Sequence, residues 1–150
     1  MRDGPIPFFL HGVLEYIAAV AFVVAPFVLD FDSGTATALS IIVGVVILVI
    51  AAATDGPTSL VDQIPRPVHV LLDYALAVIL IALPFLAGFS DETEPTVLFI
   101  AGGILHLLVS IGSRYRTRRE LRPASDAPAI EDRSDPDAAQ QQPVSRSDRR

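Results

Sequence analysis

Residues 6–33, IPFFLHGVLEYIAAVAFVVAPFVLDFDS, align without a gap on residues 64–91, IPRPVHVLLDYALAVILIALPFLAGFSD. The identical pairs include Pro7/Pro65, His11/His69, Leu14/Leu72, Tyr16/Tyr74, Pro26/Pro84 and Phe31/Phe89, and Glu15/Asp73 keeps a carboxylate. Apolar bias alone yields coincidences of Leu, Ala and Val. It does not yield histidine, tyrosine, proline and an acid in one register. The chain is therefore a tandem repeat with a period of 58 residues.

Around this repeat lie four apolar blocks, at residues 8–29, 35–54, 67–89 and 95–113. Each is about 20 residues, which as a helix at 1.5 Å per residue matches a hydrocarbon core of about 30 Å. The second block has no charge at all. The first, within 8–29, is broken only by His11 and Glu15, the third from 68 on only by His69 and Asp73, and the fourth only by His106. A soluble bundle needs a polar stripe on each helix, and 35–54 offers Ser40 and little else. Strands crossing a membrane would be shorter and would alternate. The expected fold is all-α, a bundle of four transmembrane helices made of two tandem parallel two-helix repeats. The first repeat covers residues 6–58 and the second 64–113. Two helices per unit return the chain to its starting side, so the copies are related by an axis along the membrane normal.

The first block is read as part of the fold and not as a cleaved leader. Arg2 is balanced by Asp3, no small-x-small cleavage site precedes Asp30, and the repeat includes the block. Arginines follow the fourth helix at Arg114, Arg116, Arg118, Arg119 and Arg122, and Arg66 sits in the middle loop. The other two loops carry acids and no base. This bias predicts a multi-pass protein of the cell membrane with both termini and the middle loop cytoplasmic. Residues 114–150 form an Arg-rich juxtamembrane segment and then a tail of Pro, Ala, Asp, Arg, Gln and Ser that cannot bury enough apolar surface to fold. The arginines serve as a topology anchor, with anionic lipid headgroups as the alternative. With 17 acidic against 11 basic residues and an acidic tail, nucleic acid is not an expected partner. The absence of Cys excludes disulfides, thiol chemistry and thiolate metal sites.

These residues resemble the SPW repeat family of small membrane proteins, named for a Ser-Pro-Trp motif in the first of two transmembrane helices per repeat. The resemblance runs from about Ile6 to Ser113. It includes the H-x-x-L-acid pattern, Thr54-Asp55 at the end of the second helix and the I-P-x-x-V-H entry to the third. The motif positions here read Ala25-Pro26-Phe27 and Leu83-Pro84-Phe85, so the proline is kept while Ser and Trp are not. The resemblance implies fold and topology, and no particular chemistry.

At 100° per residue, His11, Leu14, Glu15, Ala19 and Pro26 share one arc, expected to face the bundle. Tyr16, Phe27 and Phe31 lie roughly opposite and are expected to meet lipid or the neighbouring unit. Glu15 and Asp73 sit about 10–12 Å in from the cytoplasmic helix ends, with His106 at a similar depth and His11 and His69 one turn nearer the cytoplasm. A carboxylate at such a place costs about 2.5–3.5 kcal/mol at a helix centre on insertion scales. Two readings follow. In one, each histidine bonds the carboxylate one turn away and clamps the helices. In the other, the same groups handle protons or ions. Two His and two acids can also ligate zinc, but no spacing here is diagnostic, so neither a metal nor a cofactor is assigned.

Pro26 and Pro84 should bend or end helices one and three near the outer interface, or kink them to shape a vestibule. Ser40, Gly44 and Ala52 in helix two, and Gly102, His106 and Ser110 in helix four, form small-residue lines for close packing or a homo-oligomer contact. Gly44 pairs with Gly102 at the 58-residue offset, and Ser33 and Thr93 are the expected N-caps of helices two and four. Enzymatic motifs are absent from the sequence. The leading expectation is a non-enzymatic membrane module, structural or partner-binding, with the tail as interaction segment. A small oligomeric proton- or ion-coupled transporter or channel is the alternative.

Overall fold

The computed structural model describes residues 4–115 of the chain. The expectations for the tail, including those for Arg116, Arg118, Arg119 and Arg122, fall outside the described residues. The described elements are β1 (Ile6–Pro7), α1 (Phe8–Val28), α2 (Gly34–Ala53), α3 (Arg66–Leu86), α4 (Thr93–Gly112) and β2 (Ser113–Arg114). All four helices are long and apolar enough to cross a membrane. Their outward residues, such as Phe27, Val78, Phe85 and Leu105, are exposed and apolar, as a lipid-facing surface requires. Helix α1 packs along α2 and α3 along α4, so each repeat is one helical hairpin.

The repeat prolines lie in the last turns of α1 and α3. Each helix then closes through a residue of positive φ, Asp30 at 54° and Gly88 at 72°. In both, the next residue donates its N–H back to the proline carbonyl, Phe31 to Pro26 at 3.1 Å and Phe89 to Pro84 at 3.0 Å. This is the Schellman closure, with its customary apolar residue just beyond. It ends α3 at Leu86, short of the expected residue 89, and it turns Phe31 and Phe89 inward. Phe31, expected to meet lipid or the neighbouring unit, packs against a core built by both repeats, in which Phe89 is also buried. Pro26 has no N–H, so the carbonyl of Phe22 loses its helical partner. The Ser40 hydroxyl of α2 donates to that carbonyl at 2.6 Å.

The second helices are equivalent at an offset of 59, not 58. The loop Ala87–Glu92 is one residue longer than Leu29–Ser33, which shifts α4 by one position against α2. Gly44 lies against Ala19 O and Val23, and the residue lying against Ala77 O and Ile81 is Gly103. The pairing of Gly44 with Gly102 is thus corrected by one residue; Gly102 faces the Phe22 ring instead. Ala52 likewise gives way to Ala51 as the buried small residue near the end of α2. The N-cap of α4 is Glu92 and not Thr93. Its carboxylate accepts the Ser33 N–H across the repeats at 3.0 Å, while the Ser33 hydroxyl caps α2 by accepting from Ala36 N–H at 3.2 Å.

A methyl group added at Gly44 would sit 2.7 Å from Ala19 O, and at Gly103 2.8 Å from an Ile81 side-chain carbon. Gly44→Ala and Gly103→Ala should each cost about 1–3 kcal/mol by overpacking. Gly34, with nothing within 4 Å of its added methyl, should accept alanine without loss. Unfolding in detergent micelles reads all three.

Between the hairpins, Phe22, Leu80, Phe89 and Phe99 form the apolar core with Val43, Ile47 and Leu76. The Phe22 and Phe99 rings meet edge to face at 5.4 Å, and those of Phe89 and Phe99 at 5.2 Å. At the opposite end the chain crosses over twice. Ile6 pairs in parallel with Ser113, and Ile64 in parallel with Thr54. Each repeat's entry is thereby hydrogen-bonded to the other repeat's exit.

Candidate functional site

Directly after these crossovers, the first turns of α1 and α3 carry His11 and His69, one turn before Glu15 and Asp73. All four side chains are buried. Their relation goes beyond the local pairing that spacing suggests. His11 Nε2 and His69 Nε2 face each other at 3.1 Å. The carboxylates close around this pair: His11 Nε2 lies 3.6 Å from Glu15 Oε1 and 3.3 Å from Asp73 Oδ2. His69 Nε2 lies 3.6 Å from Glu15 Oε1 and 3.4 Å from Asp73 Oδ1. His11 therefore lies closer to the carboxylate of the other repeat than to its own, and His69 nearly as close.

The other ring nitrogens explain this orientation. His11 Nδ1 meets Ser113 Oγ at 2.9 Å, and His69 Nδ1 meets Thr54 Oγ1 at 2.8 Å. Each hydroxyl gives its own proton to a carbonyl one turn back, Ser113 to Val109 at 2.6 Å and Thr54 to Ile50 at 2.7 Å. A hydroxyl has one proton to donate, so towards the histidine it accepts. Both Nδ1 atoms then carry hydrogen, and a neutral ring keeps its Nε2 lone pair. With both rings neutral, two lone pairs face one another beside two carboxylates, and positive charge is what such a centre attracts.

Asp73 is the most heavily engaged of the four. Ser110 and Tyr115 both donate their hydroxyls to its Oδ2, at 3.1 and 3.0 Å. His106 Nε2 comes within 3.5 Å of Oδ1 and, although buried, has no hydrogen-bond partner among the described residues. Tyr115, just past the last helix, is 5% exposed and packs on the rings of Phe8 and His11. Burial first, and the Asp73 charge next, push its phenol well above the ordinary tyrosine range, so it remains a donor. Beside the cluster, a cavity of about 710 Å³ runs between α1 and α4, lined by apolar side chains apart from Glu15 and His106 and, at the first turn of α4, Thr93 and Glu94.

The model of the SPW repeat domain matches residues 9–113. The chain belongs to the SPW repeat family. No curated protein and no solved structure matches it. The SPW match spans both hairpins and the whole cluster, and with four apolar helices it makes this a multi-pass membrane protein. In this SPW chain, His11, Glu15, His69, Asp73 and His106 come together. Ser110 joins them through Asp73, whereas Ser40, Gly44 and Gly102 lie in the helix packing beyond. Pro26 and Pro84 are at the far end, and Arg114 stands outside the cluster, its Nε donating to Gly4 O at 3.2 Å.

Thr54, Ser113 and Tyr115 were not singled out as site residues. Thr54 and Ser113 each follow the last residue of a second helix, but the gapless offset sets Thr54 opposite Gly112 and hides their equivalence. Tyr115 stands among arginines, where an aromatic residue reads as an interface anchor.

Proposed function

We propose that this protein is a non-catalytic membrane module whose two repeats are latched to each other by the polar cluster. The observation that carries the reading is the crossing of both histidine bonds: each ring is held by a hydroxyl at the end of the other repeat's second helix. Outside the cluster, the hairpins meet mainly through apolar contacts that lipid tails could replace at little cost. A polar latch supplies what the hydrophobic effect does not supply inside a bilayer. Thr54→Val and Ser113→Ala, each leaving a buried imidazole N–H unpaired, should lower stability by about 1–3 kcal/mol. Denaturant unfolding in nanodiscs checks this, and wild-type stability in both would count against the latch.

In the same reading the cluster lies near the cytoplasmic face of the cell membrane, with both termini and the middle loop on that side. The arginine bias at Arg66 and Arg114 supports this. The cysteine-free chain makes it simple to test. A membrane-impermeant maleimide added to intact cells should label Asp91→Cys and spare Asp62→Cys. The reverse pattern would invert the topology. The segment after Arg114 is then available to a cytoplasmic partner.

One observation favours a second reading, proton- or ion-coupled transport. The unpartnered His106 Nε2 and Glu15 both border the cavity. Transport predicts proton or cation flux into liposomes that disappears in a folded Glu15→Gln/Asp73→Asn variant. The latch predicts no flux in either protein and lower heat stability in the variant.

A further inference from the structure

We infer that His11, His69, Glu15 and Asp73 form a binding site for one divalent transition-metal ion, with Zn²⁺ the best match. The inference rests on the latch reading and gives the latch its cation. Four ligands at 2.0–2.1 Å around a tetrahedral zinc stand about 3.3–3.4 Å from one another. With either Asp73 oxygen as the fourth ligand, four of the six separations are close to this: 3.1 Å between the imidazoles, 3.6 Å from Glu15 Oε1 to each of them, and 3.3 Å from His11 to Oδ2 or 3.4 Å from His69 to Oδ1. One ligand atom from each of the four residues lies within 4.8 Å of all the others. Separations this short among all four side chains fit a single shared cation at their centre. Asp73 presents Oδ2 to His11 and Oδ1 to His69, so a carboxylate that either oxygen can turn inward completes the set.

The surroundings fit as well. Metal-bound histidines ordinarily donate their remaining N–H to a fixed acceptor, which aims the lone pair at the ion. Ser113 and Thr54 do this for both rings. Ser110 and Tyr115 hold the Asp73 carboxylate in the same manner. Two carboxylates bring two negative charges, and a divalent ion cancels them, whereas a single proton leaves one uncompensated at membrane depth. Nitrogen and oxygen donors in a closed four-fold set suit zinc better than Mg²⁺ or Ca²⁺, which take six or more oxygens. His106 Nε2, unpartnered at 3.5 Å from Asp73 and bordering the cavity, is placed to receive the ion as it enters.

The test uses the full chain in nanodiscs, stripped with EDTA and titrated with Co²⁺ and then Zn²⁺. One cobalt per chain, with the intense visible absorption of four-coordinate Co²⁺ and its displacement by zinc, is the expected result. His11→Gln/His69→Gln should abolish the bands. Ser113→Ala and Thr54→Val keep every ligand and should weaken binding by about 10–100-fold. Absent bands, the faint absorption of six-coordinate cobalt, or bands that survive in the double histidine variant would overturn the site. Unfolding in EDTA separates the two claims. If Thr54→Val and Ser113→Ala are still destabilised while cobalt does not bind, the metal site fails and the latch stands. If cobalt binds as expected while both unfold like wild type in EDTA, the latch fails and the site stands.

Discussion

Asp73→Ala is expected to lower stability by about 3–5 kcal/mol, the cost of breaking a buried charge pairing from one side. The size follows from how many groups it strands. Ser110 and Tyr115 lose the acceptor for buried hydroxyls, and His11, His69 and His106 lose the nearest negative charge. Tyr115 would then have no reason to fold back onto the Phe8 and His11 rings. Asp73→Asn keeps one acceptor oxygen and the shape of the side chain, so its loss should be clearly smaller. Unfolding in nanodiscs, read by helix content, orders wild type, Asn and Ala in that sequence. Equal loss for Asn and Ala would mean that charge, and not hydrogen bonding, dominates at Asp73.

Phe99→Ala should cost about 3 kcal/mol, at the low end of aromatic truncations. Phe99 is fully buried, with Phe22 of the other repeat at 5.4 Å and Phe89 at 5.2 Å. The low end is expected because lipid tails are as apolar as the core, so little transfer energy is lost. What remains is the cavity and its missing contacts. An exposed phenylalanine gives the control: Phe27→Ala, at a position 71% exposed, should change stability by less than about 0.5 kcal/mol. The same unfolding measurement serves both. A large loss at Phe27 would place that face against another protein surface instead of lipid.

The fold was legible because two strong signals agree. Four apolar blocks of spanning length give the helices, and histidine, tyrosine, proline and acid in register give the two repeats. The cluster was legible in its membership, since ionisable residues are conspicuous in such blocks. Its geometry was not. Periodicity places His11 beside Glu15 and His69 beside Asp73, but only the crossing of the two repeats brings the two Nε2 atoms together. The hydroxyls that orient them sit just past the ends of α2 and α4, where a one-residue difference in the loop within each hairpin shifts the second helices out of the register that the first helices establish. That same difference turned Gly102 into an apparent partner of Gly44. Helix α3 ran short for a related reason. An apolar block does not reveal where a glycine of positive φ stops the helix inside it.

The latch is tested most directly by a double-mutant cycle between His11 and Ser113, one residue from each repeat, measured as unfolding free energy in nanodiscs. His11→Gln, Ser113→Ala and their combination should be non-additive by about 1 kcal/mol or more, as for residues joined in one network. Losses that simply add, within about 0.3–0.5 kcal/mol, would mean that the repeats are not held together through this bond.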